Sequence, residues 1–256
     1  MLLAIDIGNS TIKYGFFEAG KIVDRFSVQT RRDYSADELE FDRLRKIKGR
    51  FGKASVERVI AASVVPELRE AVTKSILELY QLTPYFVDSD WDFGIAIRYT
   101  PRSTVGADRL VNAAAAAAIY GKPIITCSFG TATTIDVVDG EGVFRGGVIA
   151  PGIATGARAL STSTSLLPCV DPQMPEKAIG ESTPQAMLSG IVLGHIAMVE
   201  GMISRINREL RAQAPVVATG GFCRLIAKNS PAIDFLRENL TLEGLHMLSD
   251  RLRPQD

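Results

Sequence analysis

The sequence predicts an α/β protein made of two related halves, and three observations lead there. Short apolar runs closed by glycine turns alternate with longer helical stretches. Asp6-Ile7-Gly8-Asn9-Ser10-Thr11 is echoed by Ser128-Phe129-Gly130-Thr131-Ala132-Thr133, each after an apolar strand and each entering a hairpin. The chain has 256 residues, room for two halves of ordinary domain size. The expected boundary lies near Gly121, giving residues 1–120 and 121–256. Two such β-β-β-helix halves would face their turns across a central cleft.

In chain order, Leu2–Ile7 reads as a buried strand ended by Gly8-Asn9. Thr11–Phe17 and, after the Gly20 turn, Lys21–Thr30 are its β-rich hairpin partners. Arg31–Arg50 is charged and predicts a helix with an exposed face. Arg58–Val64 is a second buried strand. Pro66 suits the first turn of a helix running to Tyr80. Tyr85–Val87 is a short strand. Arg109–Tyr120 carries an unbroken alanine run from Ala113 to Ala118, which favours helix and permits close packing. The second half repeats the plan: Ile124–Cys127, Thr133–Val138 and Gly142–Ile149 as strands. Gly156–Thr164 and Thr183–Arg211 come next as helices, then the strand Val216–Ala218. Phe222–Lys228 and Leu242–Leu252 complete the helices.

Composition excludes several classes. Lys plus Arg and Asp plus Glu both number 29, so no charge excess drives binding to a polyanion. Cys127, Cys169 and Cys223 show no CxxC spacing, and His195 and His246 form no metal-spaced pair, so zinc has no support. Both histidines read as packing residues. The start Met1–Ile5 meets Asp6 too soon for a signal peptide, and no long apolar run predicts a membrane span.

Three places could carry chemistry. At Asp6–Lys13, Gly8 lets backbone N–H groups approach a phosphate, and Ser10, Thr11 and Lys13 add donors. Asp6 could hold Mg²⁺ through water. A plain Gly-Asn hairpin is the competing reading, and the matching turn at Gly130–Thr133 favours phosphate. At Gly106-Ala107-Asp108-Arg109, Arg109 offers a planar fork for a carboxylate. Asp108 there offers a proton acceptor for an attacking hydroxyl. A capped helix with a surface ion pair is the alternative. Thr219-Gly220-Gly221 leaves a flat slot for an adenine ring, or is only a strand-to-helix turn.

Together these residues resemble type III pantothenate kinase, of the acetate-kinase, sugar-kinase, Hsp70 and actin superfamily. The likeness rests on Asp6–Lys13, Tyr99 with Pro101, Gly106–Arg109, Gly130–Asp136, and Gly147 through Ile153. It extends through Leu166-Leu167-Pro168, Gly180 with Thr183, Thr219–Gly221 and Leu240–Leu245. The resemblance implies two ribonuclease-H-like (actin-like ATPase) domains and a cytoplasmic homodimer. It implies ATP-dependent phosphorylation of pantothenate to 4'-phosphopantothenate, the first step of coenzyme A biosynthesis, with Mg²⁺ accompanying ATP. It implies Asp108 as proton acceptor, with Tyr99, Gly106, Ala107, Arg109 and Thr183 on pantothenate. On ATP it implies Asp6, Ile7, Gly8, Asn9, Ser10, Thr11, Ile12, Lys13 and Thr131. Nucleic acid and membrane are not expected partners. The family's second phosphate motif usually begins with an Asp that binds K⁺ or NH4⁺, and here that position is Ser128. This departure keeps open a non-catalytic regulator or binding protein on the same scaffold, and Arg109 would suit a kinase of another small hydroxy acid.

Overall fold

The computed structural model describes residues 1–31, 33–34, 44, 47, 49 and 56–251. Most of the predicted helix Arg31–Arg50 and the last residue of Leu242–Leu252 lie outside these. The chain forms two compact units, Met1–Gly94 with Thr100–Ala115 and Thr241–Asp256, and Ile95–Tyr99 with Ala116–Leu240.

Unit one is built on a five-stranded sheet. Its strands are β1 (Leu2–Ile7), β2 (Thr11–Glu18), β3 (Lys21–Gln29), β4 (Arg58–Ser63) and β5 (Tyr85–Val87), in the order β3-β2-β1-β4-β5. β1 pairs antiparallel with β2 and parallel with β4, so Asp6 registers with Lys13 on one side and Ala62 on the other. Leu3, Ile5 and Ile7 alternate into one core with Ile12, Tyr14 and Phe16, the period-two burial of a packed sheet face. Pro66 opens a single 3₁₀ turn, Pro66–Leu68, that leads into α1 (Arg69–Tyr80). The helix α2 (Ala107–Tyr120) begins in this unit, and α7 (Leu240–Ser249) packs against its first half. Gly244 makes that approach possible: a Cβ there would lie 2.7 Å from Val111 Cγ1 and 3.0 Å from Ala115 Cβ.

Unit two carries a six-stranded sheet ordered β11-β10-β7-β8-β9-β6. The strands are β6 (Ala96–Ile97), β7 (Ile124–Phe129), β8 (Ala132–Val138), β9 (Val143–Pro151), β10 (Val216–Thr219) and β11 (Phe235–Leu236). Read as β9-β8-β7-β10-β11, five of them repeat the order and directions of unit one. The turn echo in the sequence therefore marks a repeated topology, and β6 is an addition at one edge. β6 and β11, each two residues long, carry no periodicity that the sequence could display.

The helices of unit two are α3 (Ile153–Ser163), α4 (Thr183–Leu188), α5 (Gly194–Leu210) and α6 (Cys223–Asn229). The single helix expected over Thr183–Arg211 is interrupted by a π-turn at Ser189–Leu193. It stops at Leu210, where Arg211 adopts the left-handed conformation that ends many helices. By length and composition the run Thr183–Leu210 could cross a membrane. Here Met187, Ile191, Val192, Ile196, Val199 and Ile203 of that run enter the core of unit two with Ile125, Phe129 and Ile135. That is how the core helix of a globular unit is used.

Candidate active site

The first turn is drawn tight at the carboxyl end of β1. The Gly8 N–H donates to the Thr11 carbonyl at 3.0 Å, and the Thr30 hydroxyl donates to the Gly8 carbonyl at 2.7 Å. Asn9, Ser10 and Thr11 are exposed at its tip. Asp6 is 7 % exposed, and Lys13 Nζ lies 3.2 Å from its Oδ2. A carboxylate this buried needs such a partner. The expected phosphate donor Lys13 is thus also the counter-ion of the expected metal ligand. Ile7 and Ile12 bury their side chains in the core, which leaves only their backbone for a ligand.

The Gly106–Arg109 segment stands at the same end of unit one. Val64 donates its N–H to the Ile7 carbonyl, and Val64 Cγ1 lies 3.4 Å from where a Gly106 Cβ would sit. The same Cβ would lie 2.5 Å from Asp108 Oδ1, so glycine here makes room for the carboxylate. Ala107 and Arg109 are buried, Arg109 to 6 % exposure, and Asp108 is half-buried. This is no surface ion pair. A buried guanidinium is costly unless its donors are satisfied, which marks Arg109 as a built feature of the fold.

Unit two holds the second turn at the matching place. The Gly130 N–H donates to the Ala132 carbonyl at 3.0 Å, a closure one residue tighter than that from Gly8 to Thr11. The exposed Thr131 offers its carbonyl to the Gly152 N–H at 3.0 Å and the Thr155 hydroxyl at 2.7 Å, tying the tip to the start of α3. Gly152 has no room for a side chain, because a Cβ would strike the Gly130 and Thr131 carbonyls. Gly220, at φ +92°, presses on the Phe129 backbone, where a Cβ would come within 2.6 Å of the carbonyl oxygen. Close approach explains Gly220, and only Gly221 leaves open space. Ser128 registers with Thr134 on β8 and Thr219 on β10, both hydroxyl residues.

Thr183 begins α4 and lines a cavity of about 1190 Å³ in unit two, walled by α3 and the helical run from α4 to α5. Its lining is largely apolar, from Ile153, Leu160, Met187 and Met198, with Ser182 and Thr183 at hand. Tyr99 belongs to unit two, its ring against Gly146 and 6.2 Å from the Phe144 ring.

The two histidines differ. His246 stacks on Phe17, a packing role. His195 lines the cavity and places Nε2 2.9 Å from Thr133 Oγ1, a contact that its isolated position in the sequence could not signal. Burial holds its basicity below the usual range. Burial, with Asp136 nearby, raises the Cys127 thiol far above its ordinary value, so that thiol is inert. Among the described residues no group of three or more His, Cys, Asp or Glu side chains could hold a metal.

The family model for type III pantothenate kinases matches residues 2–205. The chain belongs to that family. A type III pantothenate kinase of Desulfosudis oleivorans is 41 % identical over 254 residues, covering 97 % of this chain and 98 % of that protein. One of Bacillus cytotoxicus is 36 % identical, covering 98 % and 96 %. Among solved structures, a Baf family protein of Campylobacter jejuni superposes with a TM-score of 0.62 at 18 % identity, covering 97 % of this chain and 98 % of that one. A polyphosphate/ATP-glucomannokinase of Arthrobacter does so at 0.51 and 11 %, covering 98 % and 99 %. These likenesses establish the actin-like kinase fold for this type III pantothenate kinase family member.

Proposed function

We propose that this chain phosphorylates pantothenate to 4'-phosphopantothenate with ATP, opening coenzyme A synthesis. The observation that carries this reading is the near full-length 41 % identity to a type III pantothenate kinase. The site agrees with it: a half-buried carboxylate, Asp108, adjoins a buried guanidinium, Arg109, at the first turn of α2.

In this reading Arg109, aided by the helix N-terminus, binds the pantothenate carboxylate. Gly106 and Ala107 flank Arg109 in that role, and the family resemblance adds Tyr99 and Thr183 as further pantothenate contacts. Asp108 takes the proton of the terminal hydroxyl while that oxygen bonds to the γ-phosphorus and the bridge to the β-phosphate breaks, releasing ADP. The tips at Gly8–Thr11 and Thr131 supply N–H and hydroxyl donors to the ATP phosphates. Asp6 offers the carboxylate oxygen that Mg²⁺ takes as a ligand, and Lys13, 3.2 Å from it, would turn to the phosphates when the metal binds. When bound, Mg²⁺ would neutralise charge building on the phosphates.

A monovalent cation fits less well. Ser128 and its registered neighbours Thr134 and Thr219 present neutral hydroxyls where an anionic ligand would attract K⁺. We therefore assign no step to that cation. The protein acts as a cytoplasmic homodimer in this reading. ADP release by purified protein tests it: release that needs pantothenate supports the reading, and no release with pantothenate or other hydroxy acids sinks it.

A further inference from the structure

The geometry points to His195 as a positioning residue that holds the base of the second phosphate turn. This rests on the reading of Gly130–Thr133 as a phosphate grip and adds a residue outside the turn itself.

Two features converge on this histidine. The π-turn Ser189–Leu193 ends immediately before Gly194 and His195. A π-turn inserts an extra residue and rotates the downstream side chains about the helix axis, and such turns gather at functional sites. Beyond it, the imidazole reaches out of the helix to both feet of the hairpin. Its Nε2 lies 2.9 Å from the hydroxyl of Thr133, which is fully buried near the start of β8. Its ring meets Phe129, the last residue of β7, edge-on at 6.2 Å. Thr133 and Phe129 are themselves registered across the hairpin. The Phe129 carbonyl also accepts from the Phe222 N–H at 3.2 Å.

The tip at Thr131 is fixed from α3 through Gly152 and Thr155. His195 fixes the base from α5. A turn pinned at tip and base presents its N–H groups without losing further ordering entropy when a phosphate arrives. The lowered basicity of the half-buried ring keeps it neutral, with one nitrogen accepting and one donating. The Thr133 hydroxyl can satisfy either tautomer.

The test measures binding of Mg·ADP by calorimetry, which needs neither pantothenate nor turnover. His195→Leu is expected to weaken ADP by about fivefold, the size of one neutral hydrogen bond. Thr133→Val should do the same, and the double variant should be no worse than either alone. His195→Gln, whose amide can reach the same hydroxyl, should restore most of the affinity, which a loss of packing alone would not allow. The KM for ATP should rise with kcat little changed. Additive losses in the double variant would overturn the assignment. So would equal ADP affinity in the wild type and in His195→Leu, with both shown to be folded by circular dichroism. Absence of pantothenate-dependent turnover in the wild type would sink the functional reading while leaving this ADP measurement intact.

Discussion

The two units share a sheet order yet close their equivalent hairpins in different ways. Between β2 and β3, Ala19 at φ +47° and Gly20 at φ +79° make a two-residue turn that relies on backbone alone. Between β8 and β9, the Asp139 carboxylate accepts N–H groups of Glu141 at 3.1 Å and Val143 at 2.9 Å, and Arg145 Nη1 at 3.1 Å. The two candidate phosphate turns differ as well. The first pairs Asp6 with Lys13, while the second begins at the uncharged Ser128 and is gripped by Gly152, Gly220 and His195. A repeated topology therefore dictates where turns fall, and the side chains of each copy decide what the turns do.

The largest test of this division lies in unit one. Asp108→Asn should lower turnover by about 10²–10⁴-fold, the usual worth of a general base, while ADP binding stays near normal. Unchanged kcat would move the proton acceptor elsewhere.

Gly220→Ala probes unit two. It places a Cβ against the Phe129 backbone at a positive φ, so a loss of about 1–3 kcal/mol is expected in urea denaturation. A neutral result would mean that the two strands can separate without cost. Gly221→Ala serves as the comparison, since a Cβ there meets open space.

Ser128→Asp makes the second turn resemble the first. Turnover of the natural chain is expected to vary little with KCl, and the variant is expected to gain a K⁺ response. Strong, equal K⁺ activation of both proteins would refute the argument from the missing charge.

The smallest effect is at Asp139. Burial pushes its pKa up, but the Val143 N–H, Arg145 and the Glu141 N–H together outweigh burial and hold it below the ordinary value. A depressed folded value contributes stability above the unfolded-state pKa and loses it as pH falls through the folded one. Asp139→Asn should therefore cost about 1 kcal/mol at neutral pH. That difference should shrink on acidification, as read from urea midpoints at both pH values. A pH-independent difference would contradict this.

Much of the fold was legible in the chain. Strands β1, β2, β7 and β8 are apolar runs or alternations that end at or near glycine, and β4 is an apolar run stopped ahead of Pro66, so local pattern and burial agree. Asp6, Gly8, Asp108 and Thr131 lie on short motifs whose residue types suit the phosphate and proton roles proposed for them, and only the motifs together outweighed a plain turn or a capped helix. The two-residue edge strands were invisible, because two residues have no period. The π-turn was invisible too: Ser189–Leu193 continues the helical pattern on either side, and only packing decides that an extra residue is accommodated.

The chain alone therefore determined the α/β class, the repeated turns and the family, because these reside in local spacing of glycine, apolar and hydroxyl residues. Tertiary structure alone decided that Arg109 is buried, that Lys13 neutralises Asp6, that Gly220 is needed by Phe129, and that His195 reaches Thr133. Each of these joins residues that are apart in sequence or sets how deeply a side chain is buried. Such contacts arise only when sheet and helices pack, and no local pattern encodes them.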